Sequence, residues 1–521
     1  MTSPFTLALH GVGFQLPTGE QLFHDLDESL DERHTGLVGR NGVGKSVRAR
    51  ILAGELAPGA GRCLRQGRVH YLAQHPAARS VAELAGVQAL LEALARIEAG
   101  GVEAMDFERL DGRWDIRQRL EAELAACGLG YLDTQTPITR LSGGERARVA
   151  LLGAWLSDAD LLILDEPSNH LDRASREALR EQLQRWRRGL LLVSHDRLLL
   201  EDMQRILELS PDGLRSYAGG YSAYREARRS ERDSAQRELQ RRKLERERQE
   251  HRQASGRRQA REANQAKILV DRQKERSQVS IARQRSQHDE RGDQLDAQVR
   301  EAFAQLREDA EVVLNAPNCE LPAQRDLLLE GLRLPFGSAA PLDLQLSGPR
   351  RVALDGPNGS GKSTLLKVLA GRLAPSAGTC EVKVRSAYLD QQLAGLRPER
   401  SVLQLLQERN RRDDLSSLRT RLARLGLPAA RVDLPCGLLS GGERPKAALA
   451  CELYADEPAQ LLLLDEPDSH LDLPSLEALE QVLRQYRGAL LVVSHDETFL
   501  ASLALEFRLE TGTGLWSWRP W

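Results

Sequence analysis

Gly39-Arg-Asn-Gly-Val-Gly-Lys45-Ser46 returns 317 positions later as Gly356-Pro-Asn-Gly-Ser-Gly-Lys362-Ser363. Both match GxxxxGK[ST]. In that pattern successive backbone N–H groups turn inward around phosphate oxygens, the lysine neutralises the terminal phosphates, and the serine hydroxyl reaches a magnesium ion. The flanks suit a strand–loop–helix context. Thr35 to Val38 and Arg351 to Asp355 read as short buried strands, and Val47 to Ala53 and Thr364 to Ala370 have helical spacing. One such match occurs by chance; two matches with the same companions do not.

The companions keep register. From Lys45 to Gln74 is 29 positions, as it is from Lys362 to Gln391, and each glutamine ends a Tyr-Leu-x-Gln segment. Leu141-Ser-Gly-Gly-Glu145 is matched by Leu439-Ser-Gly-Gly-Glu443. Apolar runs then end in Asp165-Glu166 and Asp465-Glu466, and 30 positions after each aspartate lies the histidine of a Ser-His-Asp segment, His195 or His495. Alone, an Asp-Glu after leucines is usually a strand end and a Ser-His-Asp usually a loop. In order, in register and in duplicate, they read as functional. The chain here resembles the ATP-binding cassette superfamily over nearly all of both ends.

The runs Leu161–Leu164 and Leu461–Leu464 suit buried parallel strands delivering Asp165 and Asp465 to the site at their carboxyl ends. Each aspartate would hold Mg2+ together with Ser46 and Gln74, or with Ser363 and Gln391. Glu166 or Glu466 would polarise the attacking water, and His195 or His495 would contact the γ-phosphate. ATP would sit on Gly39, Asn41, Gly42, Gly44 and Lys45, and on Gly356, Asn358, Gly359, Gly361, Lys362 and Thr364. The resemblance implies two composite sites, the first P-loop capped by Ser440-Gly441-Gly442 and the second by Ser142-Gly143-Gly144. With both glutamates present, both are expected to hydrolyse ATP.

Three departures stand out. Leu16 falls where these ATPases often stack an aromatic on adenine, and the matching stretch at Leu334-Pro335-Phe336 is compressed. Val47 replaces a second hydroxyl after the first P-loop. Asp165-Glu-Pro-Ser-Asn-His-Leu-Asp172 becomes Asp465-Glu-Pro-Asp-Ser-His-Leu-Asp472, so the second copy lacks the asparagine.

Length allows two cassettes and a connector: 521 residues, divided as 1–224, 225–312 and 313–521, an α/β fold at each end. Six cysteines without CxxC spacing argue against zinc or a disulfide scaffold and fit a reducing cytosol. No run approaches the ~20 apolar residues of a membrane span, and the start lacks a signal-peptide pattern. The first cassette carries about 19 extra residues around Ile97 to Trp114, by comparison of the two halves. They read equally as a partner-facing element or a lengthened surface helix. The tail Leu515-Trp-Ser-Trp-Arg-Pro-Trp521 alternates like a final strand.

Between Tyr224 and Phe303 there is no aromatic residue, no proline and only two glycines, Gly256 and Gly292. Sparse apolar residues suffice for a thin antiparallel seam, so the connector reads as a helical hairpin turning between Gly256 and Ser280. Net charge over the whole chain is −2, yet His251 to Arg285 holds ten basic and three acidic residues. That concentration is an electrostatic footprint for phosphate backbone, and the lack of aromatics favours folded RNA over stacked single strands. A solvated helical spacer is the plain alternative.

Two cassettes, no membrane domain, Asn169-His-Leu-Asp172 and Tyr217-Ala-Gly-Gly-Tyr221-Ser-Ala-Tyr224 before a basic linker resemble the ABC-F family. That resemblance implies a cytoplasmic, monomeric ATPase that binds the ribosome at the tRNA exit site. Arg257, Arg258, Arg261, Lys267, Arg272 and Lys274 would then contact rRNA or P-site tRNA. Its role would be translation regulation, rescue of stalled ribosomes or ribosome protection against antibiotics. Three alternatives stay open: an ATPase acting on branched or damaged DNA, the motor subunit of a transporter, and a regulatory binder with no useful turnover. The absence of a further C-terminal coiled coil tilts the reading away from DNA.

Overall fold

Unbroken apolar runs decide the layering. In the computed structural model, which describes residues 6–169, 171–266, 314, 325–512 and 515–521, Leu161–Asp165 and Leu461–Asp465 are strands buried at every position. Strands covered on both faces occur in parallel sheets flanked by other layers, and that is the arrangement here. One sheet runs in the order Val69–Leu72, Leu161–Asp165, Gly189–Val193, His34–Gly39, Arg205–Ser210, Gly213–Ala218; the first five are parallel and the last antiparallel. The second repeats that order with Ser386–Leu389, Leu461–Asp465, Ala489–Val493, Arg351–Asp355, Phe507–Gly512 and Leu515–Pro520. The tail is thus the expected final strand.

Each sheet is covered on one face by a three-stranded antiparallel sheet: Gln21–Leu30, Thr6–Gln15 and Ala60–Gln66 in one cassette, Leu342–Ser347, Arg325–Arg333 and Ala377–Val382 in the other. The two faces of a strand feed different cores. Leu461 and Leu463 join Leu327, Leu329, Leu366 and Leu491, whereas Leu462 and Leu464 join helix residues such as Leu406, Leu449 and Leu479.

Parallel register sets the site. Asp165 lies opposite Val193 and Asp465 opposite Val493, while Leu37 also pairs with Val193 and Leu354 with Val493. The two P-loops therefore leave their strands beside the aspartates, in the crevice at the carboxyl ends where α/β sheets place ligands. Helices Lys45–Ala53 and Lys362–Leu369 follow directly.

The helical subdomain of the first cassette includes Gln88–Glu98, Ala104–Leu110, Ile116–Ala126 and Gly143–Leu156. Ala104–Leu110 falls within the extra residues read from the sequence. Arg96 Nη2 anchors it by donating to the buried Asp106 carboxylate at 2.6 Å.

The chain divides into two compact units, Met1–Tyr221 with Val312–Trp521, and Ser222–Glu311. The described part of the second is one helix, which with Tyr221 spans Tyr221–Ala266 and continues through Gly256 without a break. Pairs at helical spacing, Arg228–Glu231, Arg242–Glu238 and Arg241–Glu245, lace its surface. Arg257, Arg258 and Arg261 fall on this helix; Lys267, Arg272 and Lys274, and the expected return helix, lie outside the described residues. Among the described residues no helix is long and apolar enough to cross a membrane.

Candidate active site

The P-loops need their glycines. Gly39 and Gly356 adopt φ of 149° and 148°, a region open only to residues without a Cβ. A Cβ on Gly39 would also collide with the Leu209 carbonyl, and one on Gly356 would come within 2.6 Å of Thr511. Lys45 Nζ donates to the Gly39 and Arg40 carbonyls at 2.7 and 3.1 Å, and Lys362 Nζ to those of Gly356 and Pro357 at 2.6 and 2.9 Å. Both ammonium groups are buried, which lowers their pKa.

Facing them are the acidic groups. Ser363 Oγ donates to Asp465 Oδ1 at 2.9 Å, and Tyr388 donates to Oδ2 at 2.9 Å; Tyr71 makes the same bond to Asp165 at 3.2 Å. Glu166 and Glu466 sit in the left-handed region, φ 52° and 49°, a strained conformation for a residue with a Cβ. Each is pinned there by its own N–H donating to Val193 or Val493, at 2.8 and 2.9 Å. His195 Nε2 lies 3.4 Å from Glu166 Oε1 and His495 Nε2 3.8 Å from Glu466 Oε1. Burial pushes the Glu166 carboxyl up and the His195 imidazole down, the latter helped by the nearby Lys45 charge, and lowers His495 to about 4, so both imidazoles are neutral at pH 7.

The two sites are not equivalent. The Glu166 side chain is 12% exposed against 30% for Glu466. Ser469, standing where the first copy has Asn169, donates its hydroxyl to Glu466 at 3.2 Å, and Gln391 donates to the same oxygen at 3.3 Å. The lost asparagine thus puts a hydrogen-bond donor on the second glutamate. Leu16 and Leu22 line the first site, whereas Phe336, 70% exposed, adjoins Gly361 of the second P-loop.

Both halves meet at one cavity of about 1010 Å³, lined by Asn41, Lys45, Ser46, Gln74, Ser142 to Gly144, Glu166 and His195 together with Asn358, Gly359, Gln391, Glu466 and His495. The cross-cassette contacts are reciprocal. Asn41 N donates to Asp472 Oδ2 at 2.8 Å and Asn41 Nδ2 to the His470 carbonyl at 2.7 Å; the Asn358 amide donates in the same way to Asp172. Burial alone would raise these two aspartates, but the Ser475 side chain with the Asn41 and Ser475 amides, or the Ser175 side chain with the Ser175 and Asn358 amides, hold them below the ordinary range. Gly441 has its open face 3.5 Å from Asn41 Nδ2, and Gly442 packs so closely on Ser475 that no side chain fits. Ser440-Gly441-Gly442 therefore lies by the first cassette's P-loop, and Ser142 to Gly144 share the cavity with Asn358 and Gly359 of the second. Ser142 also caps its helix, exchanging hydrogen bonds with Glu145, and Ser440 exchanges the same pair with Glu443 just ahead of its helix. Thr364 follows Ser363 in its helix; neither lines this cavity, nor do Lys362, Asp465 and Ser440 to Gly442.

Sequence reasoning gave no role to Tyr71 and Tyr388, although the repeated Tyr-Leu-x-Gln segment carried the signal. It also passed over Asp172 and Asp472, whose partners lie on the opposite cassette.

A family model described as ABC transporter matches residues 25–169 and 339–469. The chain is 34% identical to the tylosin resistance ATP-binding protein TlrC of Streptomyces fradiae, over 95% of both chains. It is 30% identical to the ribosome protection protein VmlR of Bacillus subtilis, covering 89% of this chain and 79% of that one. ABC transporter F family member 5 of Arabidopsis thaliana is 29% identical over 90% of this chain and 69% of its own. The chain belongs to the ABC-F family of ATP-binding cassette proteins. It is an ATPase whose two cassettes bind ATP. In fold it resembles the archaeal ribosome recycling factor aABCE1, solved with the stalk protein aP1, at a TM-score of 0.57 and 20% identity over 97% of this chain and 88% of that one.

Proposed function

We propose that this ATPase acts on the ribosome in the cytoplasm, as a monomer whose two cassettes close on two ATP molecules and part after hydrolysis. The observation that carries this is the match to TlrC over 95% of both chains, spanning the cassettes and the basic segment between them; VmlR, whose name states ribosome protection, matches over 89% of this chain. We divide the chain into a first cassette, 1–224, an arm, 225–312, and a second cassette, 313–521. Arg257, Arg258, Arg261, Lys267, Arg272 and Lys274 of the arm contact rRNA or P-site tRNA through phosphate.

Mg2+ fits the donors present. Asp165 Oδ1 and both ring nitrogens of His195 and His495 are buried without a hydrogen-bond partner among the described residues, and hard oxygen donors from aspartate and serine suit this ion. Ser46, Gln74 and Asp165, or Ser363, Gln391 and Asp465, would hold it. When bound, it neutralises charge on the β- and γ-phosphates. Lys45 and Lys362 exchange their loop carbonyls for phosphate oxygens. Glu166 and Glu466 orient the attacking water, and neutral His195 and His495 donate an N–H toward the γ-phosphate. Ser142 and Ser440, with the glycine amides beside them, cap the phosphates of the opposite site.

The test is sedimentation of the Glu166→Gln, Glu466→Gln chain with ATP through a sucrose gradient of cell lysate. Co-migration with ribosomes, lost when Arg257, Arg258, Arg261 and Lys267 become alanine, is the expected result. Retention at the top of the gradient, with tight binding to junction DNA instead, would overturn it.

A further inference from the structure

At two links the cassette interface sets an arginine of the first cassette against carboxylates of the second. Asp165 and His195 are 300 positions from Asp465 and His495, so positions across this stretch correspond one to one. Arg197 of the first cassette corresponds to Glu497, and Arg180 to Glu480. Across the interface Arg197 Nη1 donates to Glu480 Oε1 at 2.6 Å, with side chains only 6% and 10% exposed. Its guanidinium also lies 5.7 Å from the Tyr221 ring centroid. Also across the interface, Arg173 reaches Glu497 at 2.7 Å and Asp355 at 3.4 Å. Its counterpart Leu473 is apolar, and the counterpart of Asp355 in the P-loop frame is Val38. Arg508 supports both carboxylates from within the second cassette, at 3.2 and 3.0 Å.

At these two links the first cassette contributes Arg173 and Arg197 and the second Asp355, Glu480 and Glu497, whereas Arg180, the counterpart of Glu480, is paired within the first cassette to Asp202 at 2.6 and 3.0 Å. Pairing a first cassette with the first cassette of another copy would set Arg173 against Arg197 and leave Arg197 facing an Arg180 already engaged by Asp202, with no carboxylate free to take it. Pairing two second cassettes would set Glu497 against Glu480. Only unlike pairing matches charge. Like charges brought together in a desolvated contact are strongly unfavourable, and a mismatch built into a surface discriminates between partners as much as a match does.

We infer that Arg197–Glu480 and Arg173–Glu497 form a pairing code that makes the first cassette close on the second cassette and excludes closure between like cassettes of two copies. The connector supplies proximity, which favours partners on the same chain; the code supplies identity. This rests on the ATPase activity alone and not on the ribosomal reading.

The test uses the full chain with R197E, E480R and both together, read by ATP turnover. Each single variant is expected to lose at least about tenfold, and the exchanged pair to recover to within about threefold of the unaltered chain. In the Glu166→Gln, Glu466→Gln background with ATP, R197E places a carboxylate opposite Arg173 of a second copy, as Glu497 lies in the unaltered chain. Sedimentation velocity is then expected to show concentration-dependent dimers absent from the parent. An exchanged pair no better than the product of the single losses would overturn the code, as would a strictly monomeric R197E. Should the buried variants fail to fold, Arg173, 55% exposed, asks the same question. R173E is expected to lower turnover several-fold at low salt and E497R to restore it; no restoration overturns the code.

Discussion

Tyr71 and Tyr388 show how much a site can depend on groups that never reach the substrate. Burial raises both phenols above their ordinary range, so the hydroxyl stays protonated and donates to the aspartate we propose as a Mg2+ ligand. Such outer partners fix the direction of a metal-binding carboxylate, and their loss commonly weakens binding by 10-fold or more. In the Glu166→Gln chain, where only the second site turns over, Tyr388→Phe should raise the Mg2+ concentration for half-maximal phosphate release roughly 10-fold. An unchanged Mg2+ dependence would contradict that role. A second residue, Asp468, stands where the first cassette has Ser168. Burial, then Asp496 beside it, lifts its carboxyl to about 7, opposed by Arg176 and Ser494. With the folded value above the ordinary 3.8, the protonated form stabilises the fold at low pH. That contribution fades as pH rises and is gone above about 7. Asp468→Asn should therefore melt higher than the parent at pH 8, and the difference should shrink toward zero near pH 4. An advantage independent of pH would show that this carboxyl does not titrate with folding.

The signature helices carry two duties on one side chain. Ser142 closes a capping box with Glu145 at the start of Gly143–Leu156, and it lines the cavity beside Asn358. Ser142→Ala should cost about 1 kcal/mol of stability from the lost cap, measured by denaturant unfolding. Ser142→Asp also caps and should regain that stability, yet it sets a carboxylate against phosphate and should leave second-site turnover low. Recovery of both together would mean that capping is the whole role. At this scale the sequence was most legible, because each motif combines local chemistry with a strand or helix signal. Lys45 and Asp165 could be placed at a loop and a strand end from their neighbours alone. The helix Ala104–Leu110 was visible only as surplus length between two halves. Ser469 read as a missing asparagine and not as a donor to Glu466, since a hydrogen bond depends on rotamer and approach that spacing does not encode.

Across the whole molecule the decisive contacts join residues hundreds of positions apart. Asn41 meets Asp472 and His470, 431 and 429 positions away, and no periodicity reports such a pairing. The composite arrangement came from resemblance, and the reciprocal asparagine–aspartate bonds give it a geometry. The interface charges were unreadable for the same reason. Arg197 next to a Ser-His-Asp segment is an ordinary polar residue until Glu480 is found against it. The two links also differ physically. Arg197–Glu480 is buried, whereas Arg173 is half-exposed, where ion pairs contribute roughly 0–1 kcal/mol and are screened by salt. Arg173→Ala should slow turnover no more than about fivefold, with the deficit shrinking in high salt; a deficit that persists at high salt would contradict a screened link.

Whether each ATP is held by both cassettes is tested most directly by counting ATP retained on the Glu166→Gln, Glu466→Gln chain after rapid desalting. Two per chain are expected. Adding Gly441→Asp, which sets a carboxylate against the first P-loop, should leave one. A further Lys45→Ala should still leave one, and Lys362→Ala none. The reverse pattern, with Lys362→Ala leaving one and Lys45→Ala none, would mean that each cassette caps its own nucleotide, and composite sites would be ruled out.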